Sequence, residues 1–158
     1  MALKFLRAWG CDVTAFTTSE SKREEALRLG AHRTLNSSDA REIAKAANSF
    51  DFILNTTNAD LDWNAYIGTL KPKGRLHTVG AVPSAMKMTA FPMISGQKSL
   101  SASPLGSPAT TDTMLNFCSR HEITPTTETF PMTKANDAIE HLRAGKARYR
   151  IVLENDLG

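Results

Sequence analysis

Four short apolar or β-branched runs, Cys11 to Thr17, Arg33 to Asn36, Phe50 to Thr56 and Arg75 to Gly80, are separated by three stretches of helix formers. No other feature of the chain restricts its fold so tightly. Strands that alternate with helices build βαβ units, in which the strands lie parallel and the helices cover the sheet. Phe50-Asp51-Phe52-Ile53-Leu54-Asn55-Thr56 is the clearest strand, an apolar run closed by polar turn residues. The first strand, with Val13, Thr14, Phe16 and Thr17, leads to a helix predicted to start at Ser21 as its cap. Glu24 completes a capping box there, and Gly30 ends the helix after Leu29. Ser38-Asp39 opens a second helix, Ala40 to Ala47. A third, Leu61 to Leu70, places Trp63, Ile67 and Leu70 on one face, and Lys71-Pro72-Lys73-Gly74 ends it. The predicted class is therefore α/β with a parallel sheet.

The carboxyl ends of such strands are where α/β sheets receive ligands, and the first of them is chemically distinctive. Thr17, Thr18, Ser19 and Lys22 follow it directly. In a dinucleotide-binding unit an acidic side chain at this point grips the adenine ribose 2′-hydroxyl, whereas a basic one accommodates a 2′-phosphate. Small hydroxyls and a lysine ammonium are good phosphate ligands, so the strand end predicts NADP(H). An ordinary capped helix N-terminus explains the same residues without a ligand, and Arg23 suits either the phosphate or solvent. The Gly-x-Gly-x-x-Gly turn that should come about 20 residues earlier in such a unit does not appear in the sequence.

Elsewhere the chain reads more plainly. Met1 to Trp9 has helical spacing and stops at Gly10. After Gly80 a Pro- and Met-rich segment, Val82 to Met93, is expected to be irregular, with its methionines filling gaps in a core. A strand interrupted at Pro104 is expected from Ser99 to Leu105, and a helix from Thr111 to Arg120. A strand from Thr126 to Phe130, a helix from Lys134 to Ala144 and a strand from Tyr149 to Leu153 follow. Pro and hydroxyl residues at Ile123-Thr124-Pro125 separate the last unit from the rest, dividing the chain into 1–122 and 123–158.

Composition narrows the partners. Of the 158 residues 41% are hydrophobic and 22% charged, and the net charge is +3, values of an ordinary globular protein. The cations are scattered among carboxylates with no basic run, which argues against nucleic acid. No apolar run approaches the ~20 residues of a membrane span, so the expected location is the cytoplasm. Cys11 and Cys118 have neither disulfide-framework nor zinc-site spacing and are expected to be buried free thiols. His32, His77, His121 and His141 form no ligand pattern and are expected to be solvated or satisfied locally.

The order of motifs resembles the zinc-dependent medium-chain alcohol dehydrogenases, and among them the NADP-dependent cinnamyl-alcohol-dehydrogenase-like branch. The residues that carry the resemblance are Met1-Ala2-Leu3-Lys4, Lys22-Arg23-Glu24-Glu25-Ala26 with Leu29-Gly30-Ala31, Phe50 to Thr56, Leu70-Lys71-Pro72-Lys73-Gly74, Val79-Gly80-Ala81, Met114-Leu115-Asn116-Phe117-Cys118, and Asn136-Asp137-Ala138 with Arg148-Tyr149-Arg150-Ile151-Val152. They cover essentially the whole chain in the family's order.

The resemblance implies the cofactor domain from its first helix onward, followed by the segment that returns to the catalytic domain. It therefore implies a Rossmann-like sheet of order 3-2-1-4-5-6 without its first strand, plus a C-terminal strand-helix-strand extension. The flanking strands would then pair directly, borrow a strand, or split into two halves. Zinc belongs to the family, but its ligands have no counterpart in these residues.

The resemblance also places Thr56 on the adenine-side rim, with Thr57 beside it, and Val79, Gly80 and Ala81 beside the nicotinamide. Ser103 and Leu105, around Pro104, would lie across the carboxamide, with Ala102 where many relatives carry Gly. Arg150 would face a phosphate, although a surface strand arginine is the plainer explanation. A homodimer would join through the Ser99 to Leu105 edge. Three functions are compatible with these residues: the cofactor part of an NADP-dependent alcohol or aldehyde oxidoreductase, inactive alone; a free-standing nucleotide-binding module; and a degenerate fragment.

Overall fold

The computed structural model describes residues 1–157. The elements are α1 (Ala2–Ala8), β1 (Thr14–Thr17), α2 (Glu20–Arg28), β2 (Arg33–Asn36), α3 (Ala40–Lys45), β3 (Phe50–Asn55), α4 (Trp63–Thr69), β4 (Leu70–Thr78), α5 (Ala90–Ser95), β5 (Ser99–Ala102), α6 (Pro108–Arg120), β6 (Thr127–Pro131), α7 (Ala135–Arg143) and β7 (Arg150–Glu154), with a 3-10 turn at Met132–Lys134. Strands and helices alternate, and every strand pair is parallel. The fold is α/β, as the alternation requires.

The strands form three sheets, ordered β1-β2, β3-β4-β5 and β6-β7. Of the three ways to accommodate β1 and β3, the structure takes the split into halves. No ladder joins the two strands; the junction is aromatic instead. The Phe16 ring lies 5.5 Å from Phe50 and 5.1 Å from Tyr66.

The core sits against the three-stranded sheet. On α4, Trp63, Tyr66 and Ile67, followed by Leu70, recur at helical spacing and are buried with Ile43, Ile53 and Leu76. Burying such a side chain stabilises by about 1.5–3 kcal/mol relative to exposure, so this stripe anchors the half-sheet. Met86, Met88 and Met93 pack on its margin, as gap fillers should.

Several boundaries differ from expectation, each for a physical reason. Helix α2 begins after Ser19, whose extended backbone makes it the N-cap, so Ser21 lies in the first turn and forms no capping box. Lys71-Pro72-Lys73-Gly74 does not end a helix outside the sheet. It is bulged out of β4, because the register jumps from Phe50↔Leu70 to Phe52↔Arg75. Lys73 takes φ 64 and Gly74 brings its α-carbon against the Lys71 carbonyl, where a Cβ would lie 2.8 Å from the oxygen. The end of the Pro-Met segment forms the first part of the short helix α5, and β5 stops at Ala102, before Pro104. Neither cysteine is buried: Cys11 is exposed and Cys118 half-buried. A thiol on a helix flank or strand entry is not forced inward when larger side chains already fill the core.

The C-terminal elements are held by polar contacts. His141 Nε2 lies 2.7 Å from Glu128 Oε2, joining α7 to β6. That orienting carboxylate is 13 residues away in sequence, which is why sequence inspection did not pair the two. Among the described residues no helix is long and apolar enough to cross a membrane.

Candidate cofactor-binding site

At the end of β1 the chain turns through a set of hydroxyls. Ser19 N and the Thr17 hydroxyl form a local turn at 3.5 Å, and Ser19 Oγ lies 3.2 Å from Ser21 Oγ. No side chain caps the N-terminus of the nine-residue helix α2. An uncapped helix start leaves N–H donors and a partial positive charge for an anion.

The neighbouring cations divide their roles. Arg23 is tied to Glu20 at 3.1 Å and to Glu42 at 3.5 Å, and the other Glu42 oxygen accepts from Asn36 N at 2.7 Å. Lys22 is exposed and forms no ion pair among the described residues. Arg23, the cation that suited either the phosphate or solvent, is engaged by carboxylates, and Lys22 is the one without an ion pair among the described residues. Thr17, Thr18, Ser19 and Lys22 are thus brought to one strand end.

The ends of β3, β4 and β5 are organised differently, around a residue that sequence reasoning missed. Asn55 is buried, 6% exposed. Its side-chain amide donates to the Thr78 hydroxyl at 3.0 Å and to the Thr57 carbonyl at 3.4 Å, while its Oδ1 accepts from Thr57 N at 3.1 Å. Its main-chain carbonyl accepts from Val79 N at 3.0 Å and Gly80 N at 3.2 Å. The Thr78 hydroxyl in turn donates to the Gly80 carbonyl at 3.1 Å. A Cβ on Gly80 would fall 2.1 Å from the Thr57 carbonyl oxygen. The glycine is therefore required by the protein's own backbone, before any ligand is considered. Thr56, Val79, Gly80 and Ala81 are in this way gathered on one braced rim.

Ser103 joins the same edge. Its N–H reaches the Thr78 carbonyl at 3.4 Å and its hydroxyl lies 2.9 Å from His77 Nε2, while His77 Nδ1 is 2.8 Å from the Ser101 hydroxyl. His77 is a locally satisfied histidine, as expected. Leu105 lies beyond the strand and is 98% exposed. Arg150 is elsewhere, in a shallow depression of about 180 Å³ shared with Met1, Lys4, Leu29, Thr124 and Tyr149. None of the strand-end residues lines that depression.

Zinc has no matching donor set. Among the described residues no three His, Cys, Asp or Glu side chains gather where a metal ion would sit. The residues present do not fit the metal.

Parallel strands whose carboxyl ends carry hydroxyls, a free lysine and a close-approach glycine define a Rossmann-like α/β protein. Residues 1–120 match the family model described as zinc-binding dehydrogenase, and the chain belongs to that family. It is 52% identical over 155 residues to aldehyde reductase AdhA of Synechocystis, an alignment covering 98% of this chain and 46% of that protein. It is 39% identical over 154 residues to NADP-dependent alcohol dehydrogenase C 1 of Mycolicibacterium smegmatis, covering 98% and 44%. Among solved structures, a cinnamyl alcohol dehydrogenase of Sorghum bicolor superposes with a TM-score of 0.90 at 38% identity, covering 97% of this chain and 44% of that one. The chain spans less than half the length of these relatives.

Proposed function

We propose that these 158 residues form the NADP(H)-binding part of an alcohol or aldehyde oxidoreductase and have no turnover by themselves. One observation carries the cofactor choice: Lys22 is free beside the Thr17, Thr18 and Ser19 hydroxyls at an uncapped helix start, while the nearest carboxylate, Glu20, is engaged by Arg23. That arrangement favours a 2′-phosphate over a bare 2′-hydroxyl. A relative named for NADP dependence supports the same choice.

In this assignment Thr17, Thr18, Ser19 and Lys22 receive the 2′-phosphate. Thr56 borders the adenine. Val79, Gly80, Ala81, Ser103 and Leu105 line the nicotinamide side, and Arg150 faces a phosphate from the C-terminal segment. The nicotinamide, when bound, supplies the hydride; the chain's own task is to hold and orient it. Residues 1–122 would form the cofactor unit and 123–158 a segment belonging to a second domain. The lack, among the described residues, of a donor cluster for the family's metal supports the absence of turnover. The exposed Leu100 on the edge strand β5 and Leu105 beyond its end favour a homodimer through Ser99 to Leu105.

Titration of the chain with NADPH and NADH, followed by nicotinamide fluorescence, tests the cofactor choice. Tighter binding of NADPH by about tenfold is expected from one charge-assisted phosphate contact, and equal affinities overturn the assignment. Reduction of cinnamaldehyde or aliphatic aldehydes by the isolated chain with NADPH would contradict the absence of turnover. A monomer by light scattering would remove the dimer.

A further inference from the structure

The rim formed by Thr56, Thr57 and Val79 to Ala81 is braced from beneath by one buried carboxamide, and we infer that Asn55 is the positioning residue that holds the nicotinamide side of the site in register. The inference deepens the NADP(H) assignment and rests on it. Asn55 occupies the last position of β3 and is 6% exposed. A carboxamide buried without partners is costly, by roughly 1–3 kcal/mol on protein scales, so a purely structural strand end is better served by an apolar side chain. Here both polar side-chain atoms and the main-chain carbonyl are engaged, by Thr78 at the end of β4 and by the two loops that leave β3 and β4.

The bonds divide the work. Oδ1 and the amide nitrogen take the Thr57 N–H and carbonyl, fixing the β3 loop at 3.1 Å and 3.4 Å. The same nitrogen reaches the Thr78 hydroxyl at 3.0 Å, which forces that hydroxyl to turn its own proton to the Gly80 carbonyl at 3.1 Å. The main-chain carbonyl of Asn55 takes the Val79 and Gly80 N–H groups. Gly80 is thereby held from both its N–H and its carbonyl, with the Thr57 carbonyl pressed against its α-carbon. The loop cannot slide outward without breaking the Thr78 leg, nor inward without striking Thr57. Asn55 touches no ligand position itself; it acts through Thr78 and Gly80.

The test compares two ligands that report on different ends of the site. NADPH spans the whole site, whereas adenosine 2′,5′-bisphosphate carries the adenine and the 2′-phosphate but no nicotinamide, and so leaves Val79 to Ala81 and Ser103 untouched. Asn55→Leu keeps the branched shape and heavy-atom count of the side chain but leaves Thr57 N and the Thr78 hydroxyl without their partner. Its expected effect is a loss of NADPH affinity of about tenfold, the scale of one unsatisfied buried group, with the bisphosphate changed by no more than about twofold. The fluorescence enhancement and blue shift of bound NADPH should fall as well, because the ring is no longer held in one place.

Thr78→Val removes only the Thr78 leg, and it keeps the inference falsifiable if Asn55→Leu does not fold. It should produce the same selective loss at about threefold. Parallel weakening of both ligands, or unchanged NADPH binding in a folded variant, overturns the positioning role. If the unmodified chain binds neither ligand, the cofactor assignment itself fails, an outcome distinct from either.

Discussion

The two half-sheets present their carboxyl ends in opposite conditions. The end of β1 is open: its hydroxyls make only local contacts within Thr17 to Ser21, α2 starts without a side-chain cap, and Lys22 is exposed. The ends of β3 and β4 are closed: Asn55, Thr78 and Gly80 satisfy each other, and the backbone of Thr57 fills the space a side chain would need. Free polar groups at a strand end carry ligand affinity, because they have no internal partner to give up. Groups already satisfied carry shape, because moving them leaves a buried donor or acceptor unpaired. One end is suited to choosing the cofactor and the other to setting where it lies.

The contrast is broken most severely at Gly80. Gly80→Ala drives a methyl into the Thr57 carbonyl at 2.1 Å, and because the obstacle is backbone rather than a flexible side chain, relief requires the whole rim to move. Destabilisation of about 3 kcal/mol is expected by chemical denaturation. Gly68, on α4 with nothing within 4 Å of its Cβ position, is the internal control. Gly68→Ala should stabilise by about 0.5–1 kcal/mol through helix propensity. Equal behaviour of the two variants would show that the rim is not closed.

At the open end the signature is reversed. Lys22→Ala should leave unfolding free energy within about 0.5 kcal/mol of the parent, since an exposed side chain without an ion pair contributes little. NADPH affinity should fall by about tenfold while NADH is unaffected, since only the former carries the 2′-phosphate. Arg23→Ala should do the opposite. It releases Glu20 and Glu42, costs up to about 1 kcal/mol of stability, and changes cofactor selectivity less than Lys22→Ala. If Arg23 proves the stronger selectivity determinant, the division between free and engaged cation is wrong.

These two ends were not equally legible in the sequence. The open end was, because hydroxyls and a lysine after a β-branched strand are local signals and act where they stand. The α/β alternation was legible for the same reason: β2 falls on Arg33–Asn36 and β3 on Phe50–Asn55, both within the runs that marked them. The closed end was not. A single Asn at the end of an apolar run looks like a polar boundary, and its partners Thr78 and Gly80 lie more than 20 residues downstream. The Lys71 to Gly74 bulge was misassigned because Pro and Gly signal a break without saying whether the sheet resumes beyond it. His141 and Glu128, and the exposure of Cys11, depend likewise on tertiary neighbours that spacing does not encode.

Helix α2 connects the open end to the C-terminal segment, and a smaller effect tests that connection. Lys22 and Glu25 stand three residues apart on it, and Glu25 receives Arg148 Nη1 at 3.3 Å. Tyr149 next to it has φ 78, the left-handed region, a backbone state that persists for a bulky residue only when its surroundings hold it. Burial, and then the hydrogen bond to Glu25, push the Tyr149 hydroxyl up to about 12 from the usual 10. A raised value means that the protonated phenol is favoured in the folded chain, so its contribution is complete below pH 10 and is lost as pH rises toward 12. Above that range tyrosinate faces the Glu25 carboxylate, and the start of β7 should loosen from α2. The chain has two tyrosines, and Tyr66 is also raised, mainly by burial. The difference between tyrosinate absorbance titrations of the parent and Tyr149→Phe therefore isolates Tyr149. A midpoint near 12 is expected, with amide exchange at 149–151 accelerating over the same interval. A midpoint near 10 would mean that neither burial nor Glu25 holds the phenol, and that Arg148 alone ties this end of the C-terminal segment to Glu25 of α2.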